Sequence, residues 1–342
     1  ALLLEPNFVK ASGGSTRCQS MAACDRDSNV TSAKRALDQK DGATEGRPPK
    51  WRTGGPQDWR GIFSVEKKVV LVTGGAGGIG RGIAGGFVAH GARVYIASRR
   101  DLSQAAAELS DEGPGDCIPV SGIDLSKDAD ITRLAKTIEE KEGKLDVLVN
   151  NAAIDWLVHP FEDFDMADWD KMMAVNQRAP FALIKECLPL LTKAGEGKSA
   201  NHHASVINIT SMDTLRIPPD DDWAYAPGKA ALQHLTRMLA GRCGNNGGGV
   251  GGRNITFNAI APGCFPGMSD DEFKTEECRN RAAKATVVGR IGDVEDIGAA
   301  CIYLASRAGA FVTGAVLPVD GGILVSQQAN DDAGLDGSGR AT

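Results

Sequence analysis

Short apolar runs rich in β-branched residues recur along this chain, and stretches with helical spacing separate them. The runs are KVVLVTG (68–74), ARVYIAS (92–98), CIPVSGID (117–124), LDVLVNNA (145–152), ASVINITS (204–211), NITFNAIAPG (254–263) and AVLPVDG (315–321). Between them lie GRGIAGGFVAHG, LSQAAAELS, DITRLAKTIEEKEG, a long helical segment over 167–194, YAPGKAALQHLTRMLAGR and DVEDIGAACIYLAS. The strands are continuously apolar rather than alternating. Such strands are buried on both faces, as in a parallel sheet with helices on either side. The pattern predicts an α/β fold, a single doubly wound domain with a seven-stranded parallel sheet over 62–326. Residues 1–61 are polar and turn-rich without a sustained period, and read as a disordered or loosely attached extension. Residues 327–342 read as a flexible tail. KAGEGKSANHH and CGNNGGGVGG (243–252) read as inserted loops.

Composition narrows the function classes. The 342 residues are 42% apolar and 24% charged, enough for a sizeable core, and the net charge of −6 argues against nucleic acid as a partner. Eight cysteines are scattered without CxxC pairs, which predicts no zinc site and a reducing, cytoplasmic setting. No apolar run approaches the roughly 18 residues of a membrane span. ALLLEPNFVK is too short and too acidic for a signal peptide. Residues 1–61 hold 10 Lys/Arg against 7 Asp/Glu, unlike an acid-poor transit peptide. Three N-x-S/T triplets occur, at Asn29, Asn208 and Asn254; the last two fall on expected core strands, and glycosylation is not expected at any of them.

LVTGGAGGIGRGIA follows the first strand and opens a helix, the context in which a glycine-rich loop cradles a diphosphate. Glycine turns tightly and exposes backbone N–H groups, and the helix N-terminus adds partial positive charge. Gly74, Gly78 and Gly80 fit TGxxxGxG. Gly74, Gly77 and Gly80 fit TGxxGxxG equally well, so this segment alone does not choose. The absence of GK[ST] excludes a nucleotide-triphosphate P-loop. The second strand then ends YIASRRD, with Ser98 where an NAD site usually carries Asp or Glu for the ribose hydroxyl. A carboxylate there repels a 2′-phosphate, whereas Arg99, followed by Arg100, can pair with one. The expected fold is therefore Rossmann-type and the expected cofactor NADP(H).

Eight motifs in order now carry a resemblance: TGGAGGIG (73–80), Asp124 in GIDLS, NNAA (150–153), Asn176 in MAVNQ, INITS (207–211), YAPGK (225–229), APG (261–263) and VDGG (319–322). Together they resemble the classical short-chain dehydrogenase/reductase (SDR) family over 62–326, and within it the 3-oxoacyl-acyl-carrier-protein reductase-like members. NNAA departs from the usual NNAG at Ala153, a methyl the strand end is expected to tolerate. The resemblance settles the glycine spacing towards TGxxxGxG. It implies that Gly74, Gly78, Ile79 and Gly80 lie under the diphosphate, Ser98 and Arg99 by the adenosine ribose, and Asp124 and Leu125 beside the adenine. Asn150, Asn151 and Ala152 would line the cofactor, and the segment after Pro262 and Gly263 would close over the nicotinamide. Ser211, Tyr225, Lys229 and Asn176 would form a catalytic tetrad, with Thr210 a rival to Ser211. Tyr225 and Lys229 would contact the cofactor as well.

The chemistry fits those roles. Carbonyl reduction needs a hydride and a proton to the developing alkoxide. A phenol titrates near about 10, and bringing it close to neutrality takes roughly 4 kcal/mol. An ammonium about 4 Å away supplies about that much at an effective dielectric of ~20. Lys229 lies four residues after Tyr225, on the same helix face. Ser211 would donate to the substrate oxygen, and Asn176 would fix a water that relays protons. Pro227 fits only if the helix starts near Tyr225.

Trp156, Met212, Leu215 and the segment 264–278 are the expected substrate contacts, with Phe265, Met268 and Phe273 as that segment's apolar side chains. The substrate is expected to be a 3-oxoacyl or related carbonyl compound. For an acyl-carrier partner the candidate surface cations are Arg216, Lys274 and Arg279. Asp220, Asp221 and Asp222 read as solvated, and no metal is expected. Helices over 167–194 and 224–242 would join copies into a homotetramer or homodimer. The competing reading is a catalytically idle cofactor-binding or regulatory protein on the same fold. An extended-branch epimerase is disfavoured by the short segment after Tyr225.

Overall fold

The computed structural model describes residues 59, 61–154, 159–196, 203–218, 221–244, 253–267 and 275–326. All of them fall in the unit Asp58–Thr342. Seven strands, β1 (Val69–Thr73), β2 (Arg93–Ser98), β3 (Asp116–Ser121), β4 (Val147–Asn150), β5 (Ala204–Ile209), β6 (Ile255–Pro262) and β7 (Val316–Val319), form one sheet in the order β3-β2-β1-β4-β5-β6-β7. Every neighbouring pair is parallel. The helices are α1 (Gly78–Ala89), α2 (Ser103–Ser110), α3 (Asp128–Glu142), α4 (Met166–Met173), α5 (Ala179–Gly195), α6 (Tyr225–Cys243), α7 (Glu276–Ala285) and α8 (Val294–Ala305). This is the predicted doubly wound fold.

The continuous apolar strands serve two cores at once. Val70 and Val72 of β1 point to a cluster built with Ile83 and Phe87 of α1 and Ile297 and Cys301 of α8. Val69 and Leu71 point the other way, to Ile131 and Leu134 of α3 and Leu183 and Cys187 of α5. All four β1 valines and leucines are at most 3% exposed, so either face uncovered would leave several apolar side chains in water. Chain order reverses where β1 pairs with β4 (Val70↔Val147, Val72↔Val149). In an open parallel sheet the crevice at that switch point, beyond the strand C-termini, is where ligands bind.

Two local readings need correction. The segment 167–194 is two helices, because a π turn (Ala174–Arg178) separates α4 from α5. The Ala179 N–H bonds the Ala174 carbonyl five residues back. Pro180, at the start of α5, has no N–H to offer Asn176 four residues earlier. The π turn thus sits at a candidate site residue, where such insertions are often found. Asp222 is buried rather than solvated: its carboxylate accepts the N–H groups of Tyr225 (2.8 Å) and Ala226 (3.0 Å). It satisfies two of the donors that any helix N-terminus leaves open. α6 accordingly begins at Tyr225, which leaves Pro227 in the first turn where it is tolerated. The extension 1–58, the tail 327–342, most of each inserted loop, and Trp156, Met268, Phe273 and Lys274 lie outside the described residues.

Candidate active site

A cavity of about 470 Å³ opens at the switch point. The glycine loop forms one wall. Gly74 has φ +68° and Gly78 φ +48°, left-handed conformations that side chains resist. A Cβ on Gly80 would sit 2.2 Å from the Gly74 carbonyl oxygen, and one on Gly78 would sit 2.5 Å from that of Gly267. Gly77, in contrast, is extended (φ −151°), and a Cβ there would meet nothing within 4 Å. Gly75 also excludes a Cβ, which would lie 2.4 Å from Ile96 Cγ2, but between the two spacings the loop requires glycine at Gly78 and not at Gly77, as in TGxxxGxG. Behind the loop, Asn151 donates from Nδ2 to the carbonyls of Thr73 (3.0 Å) and Gly74 (3.3 Å). Thr73 Oγ1 accepts the N–H groups of Asn151 and Ala152, both at 3.0 Å. These bonds hold the loop and the end of β4 together.

At the far end, Ser98 and Arg99 line the cavity after β2, and Asp124 and Leu125 line it after β3. Arg99 is exposed and makes no ion pair among the described residues. Ser98 Oγ accepts the Arg100 N–H at 3.2 Å, which fixes the turn. The hydroxyl of Ser126 (2.7 Å) and its N–H (3.1 Å) bond Asp124 Oδ1, and Lys127 lies 3.4 Å from Oδ2. Those contacts hold the Asp124 carboxyl below the usual carboxylate range.

Tyr225 and Lys229 line the opposite end. One helical turn apart on α6, they are 6% and 2% exposed. Lys229 Nζ donates to the Ile209 carbonyl at 2.8 Å and lies 5.5 Å from the centroid of the Tyr225 ring. Asn176, also buried, clasps Ile154: its Oδ1 accepts the Ile154 N–H (2.8 Å) and its Nδ2 donates to the Ile154 carbonyl (3.0 Å). The side chain therefore shapes the cavity wall at Ile154 without lining it. Ser211, two residues beyond the end of β5, is buried just behind that lining rather than in it, with Oγ directed at Asp213. Thr210 lines the cavity, but its hydroxyl is given to the Ile260 carbonyl at 2.9 Å.

Other expected residues lie elsewhere. Asn150 Nδ2 donates to Asn208 Oδ1 (2.8 Å), and Asn208 donates in turn to Thr236 (2.8 Å), a buried amide chain inside the sheet. Strand alternation explains this, since Asn150 and Asn151 point in opposite directions and only Asn151 reaches the cavity. Pro262 and Gly263 close β6 and do not line the cavity; four residues on, Gly267 does, with its carbonyl against Gly78. Phe265 is core, packed so closely on Gly292 that a Cβ there would lie 2.4 Å from the ring. Met212 is buried and Leu215 is 41% exposed. Arg216 is not a free surface cation, because its Nε donates to Asp213 Oδ1 at 2.8 Å. Arg279 is exposed on α7.

Several lining residues escaped the sequence reading: Ala153, Ile154, Lys171, Val175 and Gly267. Ala153 is exposed there, so the extra methyl of NNAA has room. The Pro266–Gly267 dipeptide was a readable turn signal. Lys171 and Val175 share a face by their four-residue spacing. Phe161 and Trp223 form an exposed edge-to-face pair, centroids 5.2 Å apart, with Trp223 Nε1 donating to the His159 carbonyl. Among the described residues no group of three His, Cys, Asp or Glu could hold a metal ion, and no helix is long and apolar enough to cross a membrane.

The family model described as enoyl-(acyl carrier protein) reductase matches residues 74–324. The chain is 38% identical over 263 residues to a rhamnolipids biosynthesis 3-oxoacyl-[acyl-carrier-protein] reductase of Pseudomonas aeruginosa, covering 76% of this chain and 97% of that protein. It is 34% identical over 267 residues to a gluconate 5-dehydrogenase of Gluconobacter oxydans, covering 78% and 98%. Among solved structures it resembles the Pseudomonas aeruginosa RhlG/NADP active-site complex, with TM-score 0.70 and 37% identity over 78% of this chain and 99% of that one.

Proposed function

The chain belongs to the short-chain dehydrogenase/reductase family, and from that premise we propose an NADP(H)-dependent oxidoreductase that reduces a ketone, or oxidises the secondary alcohol, with Tyr225 as acid/base. The observation that carries this reading is the meeting of Tyr225 and Lys229 with the glycine cradle and Arg99 in one cavity. The cavity fits a dinucleotide: a loop that no Cβ can enter at Gly78 or Gly80, a helix N-terminus behind it, and an arginine without a carboxylate partner among the described residues. A relative solved with NADP supports the choice of cofactor.

When bound, the nicotinamide supplies or accepts the hydride. Gly74, Gly78 and Gly80 leave backbone N–H groups bare for the diphosphate. With the cofactor bound, Arg99 would pair with the 2′-phosphate and Leu125 would pack beside the adenine. Tyr225 gives its proton to the oxygen that gains charge, and the buried ammonium of Lys229 stabilises the phenolate left behind. Ser211 provides a second hydrogen bond to that oxygen. Asn176 braces Ile154, so the cavity wall after β4 keeps its shape. The substrate class proposed is a 3-oxoacyl or related carbonyl compound, a reading supported by the 38%-identical 3-oxoacyl-[acyl-carrier-protein] reductase. Assembly through the helices of 167–194 and 224–242 is part of the proposal, and a monodisperse active monomer in light scattering would refute it.

The deciding experiment mixes purified protein, NADPH and a panel of ketones that includes 3-oxoacyl thioesters, and follows the nicotinamide absorbance. Turnover that disappears in Tyr225→Phe while NADPH still binds is the expected result. NADPH binding without turnover of any ketone or alcohol would shift the reading to a cofactor-binding regulatory protein.

A further inference from the structure

The proposed mechanism asks Ser211 for a hydrogen-bond donor, yet the hydroxyl is already engaged. Ser211 Oγ accepts the Asp213 N–H at 3.1 Å and lies 3.1 Å from Asp213 Oδ2. Asp213 Oδ1 takes the Nε–H of Arg216 at 2.8 Å. A carboxylate paired with a guanidinium offers only acceptors, so the proton on the Ser211–Asp213 contact belongs to the serine. A hydroxyl has one proton. Ser211 and Asp213 are 3% and 7% exposed, so little water competes for either group. Thr210 is no substitute, because its proton goes to Ile260. The turn itself is braced: Thr214 Oγ1 donates to the Ser211 carbonyl at 2.7 Å, and the Gln233 side-chain amide lies against the same hydroxyl.

We propose that Asp213 and Arg216 form a latch on the Ser211 hydroxyl: Asp213 is a positioning residue that turns the serine into an acceptor towards the substrate, and a carbonyl oxygen must draw the proton off this carboxylate to be polarised. The proposal rests on the reductase reading above. Hydrogen bonds to charged groups are about twice as strong as neutral ones, so the competition is unequal. The latch therefore sets how much of the hydrogen bond to the substrate oxygen Ser211 can deliver. Arg216 modulates it by holding part of the carboxylate's charge on the other oxygen.

Asp213→Asn reverses the polarity of the contact. The guanidinium selects the amide oxygen, which leaves the amide N–H groups facing Ser211. The serine then accepts two N–H bonds, and its proton is free for the substrate. The expected result is a rise in kcat for ketone reduction of about tenfold, the scale of one charge-assisted hydrogen bond, with the NADPH dissociation constant unchanged. Arg216→Met leaves the full carboxylate charge on the serine and lowers kcat several-fold. In a Ser211→Ala background the Asp213→Asn gain disappears, because the latch acts through that hydroxyl. Loss of activity in both single variants would mean that the pair is structural, and would overturn the latch while leaving the reductase reading intact. A gain of equal size in the Ser211→Ala background would overturn it too. Turnover in Asp213→Asn alone, with inert wild type, would support the latch. No turnover in either would end both readings. If Asp213→Asn fails to bind NADPH and so fails to fold, the sign of the Arg216→Met effect decides.

Discussion

Substituting Gly78 by alanine tests the cradle, and Gly77→Ala beside it serves as the internal comparison. At Gly78 two costs combine. The backbone is left-handed at φ +48°, which costs an L-residue about 1–2 kcal/mol. The new Cβ would lie 2.5 Å from the Gly267 carbonyl oxygen and 3.2 Å from its carbon. Overpacking of that kind costs roughly 1–3 kcal/mol. The sum is about 2–5 kcal/mol, and it must appear somewhere. If the cradle stays closed, Tm falls, by roughly 2–4 °C per kcal/mol for a domain of this size. If 264–267 moves aside, the cradle loosens and NADPH affinity falls, by about 30-fold for 2 kcal/mol. Gly77→Ala has open space and an extended backbone, so it changes neither quantity by more than about 0.5 kcal/mol. NADPH fluorescence titration and a thermal melt, run on both variants, read both terms. Gly78→Ala indistinguishable from wild type in both assays would refute the reasoning, as would a Gly77→Ala loss of equal size.

Arg99→Asp places a carboxylate at the end of β2 and is expected to move cofactor preference from NADPH towards NADH, measured as the ratio of the two dissociation constants; an unchanged ratio would remove the 2′-phosphate assignment. Asp222→Ala removes two capping bonds from α6 and should cost about 0.5–2 kcal/mol in stability. Because Tyr225 is the first residue of that helix, kcat should fall more than NADPH affinity; equal losses would argue against a role in placing the tyrosine. The Arg290–Asp296 pair, bonded at 2.6 and 3.0 Å, holds the Asp296 carboxyl below its ordinary value. A depressed carboxylate stabilises the fold above its unfolded-state pKa and loses that contribution as pH falls through the folded-state value. The Tm difference between wild type and Arg290→Gln should therefore be full near neutrality and shrink below about pH 4, and a difference that is constant down to acid would contradict the pair's role.

Much of this was legible beforehand because it is written in local pattern. Continuous apolar strands announced a sheet covered on both faces, and their alternation with helical segments announced its parallel order. The start of α6 at Tyr225 followed from Pro227, whose ring cannot sit deeper in a helix. What the pattern could not show was direction. Asn150 and Asn151 are adjacent and identical in type, yet one bonds Asn208 within the sheet and the other braces the glycine loop. Phe265 read as a substrate contact and proved to be core, because its neighbour Gly292 is distant in sequence. Three consecutive aspartates read as a solvated patch, but Asp222 turns inward to meet the helix that follows.

By itself, then, the amino-acid sequence determined the layer architecture, the phosphate loop and the Tyr225–Lys229 spacing. Each of these depends on periodicity or on contacts within a turn or two of chain. Tertiary structure gave the physical reason for Gly78 rather than Gly77, a carbonyl at Gly267 almost two hundred residues away. It also decided that Thr210 rather than Ser211 lines the cavity, and that their protons go to Ile260 and Asp213. Those outcomes depend on distances of a few tenths of an ångström between segments that only the sheet brings together, and burial then makes each unmet or misdirected hydrogen bond costly.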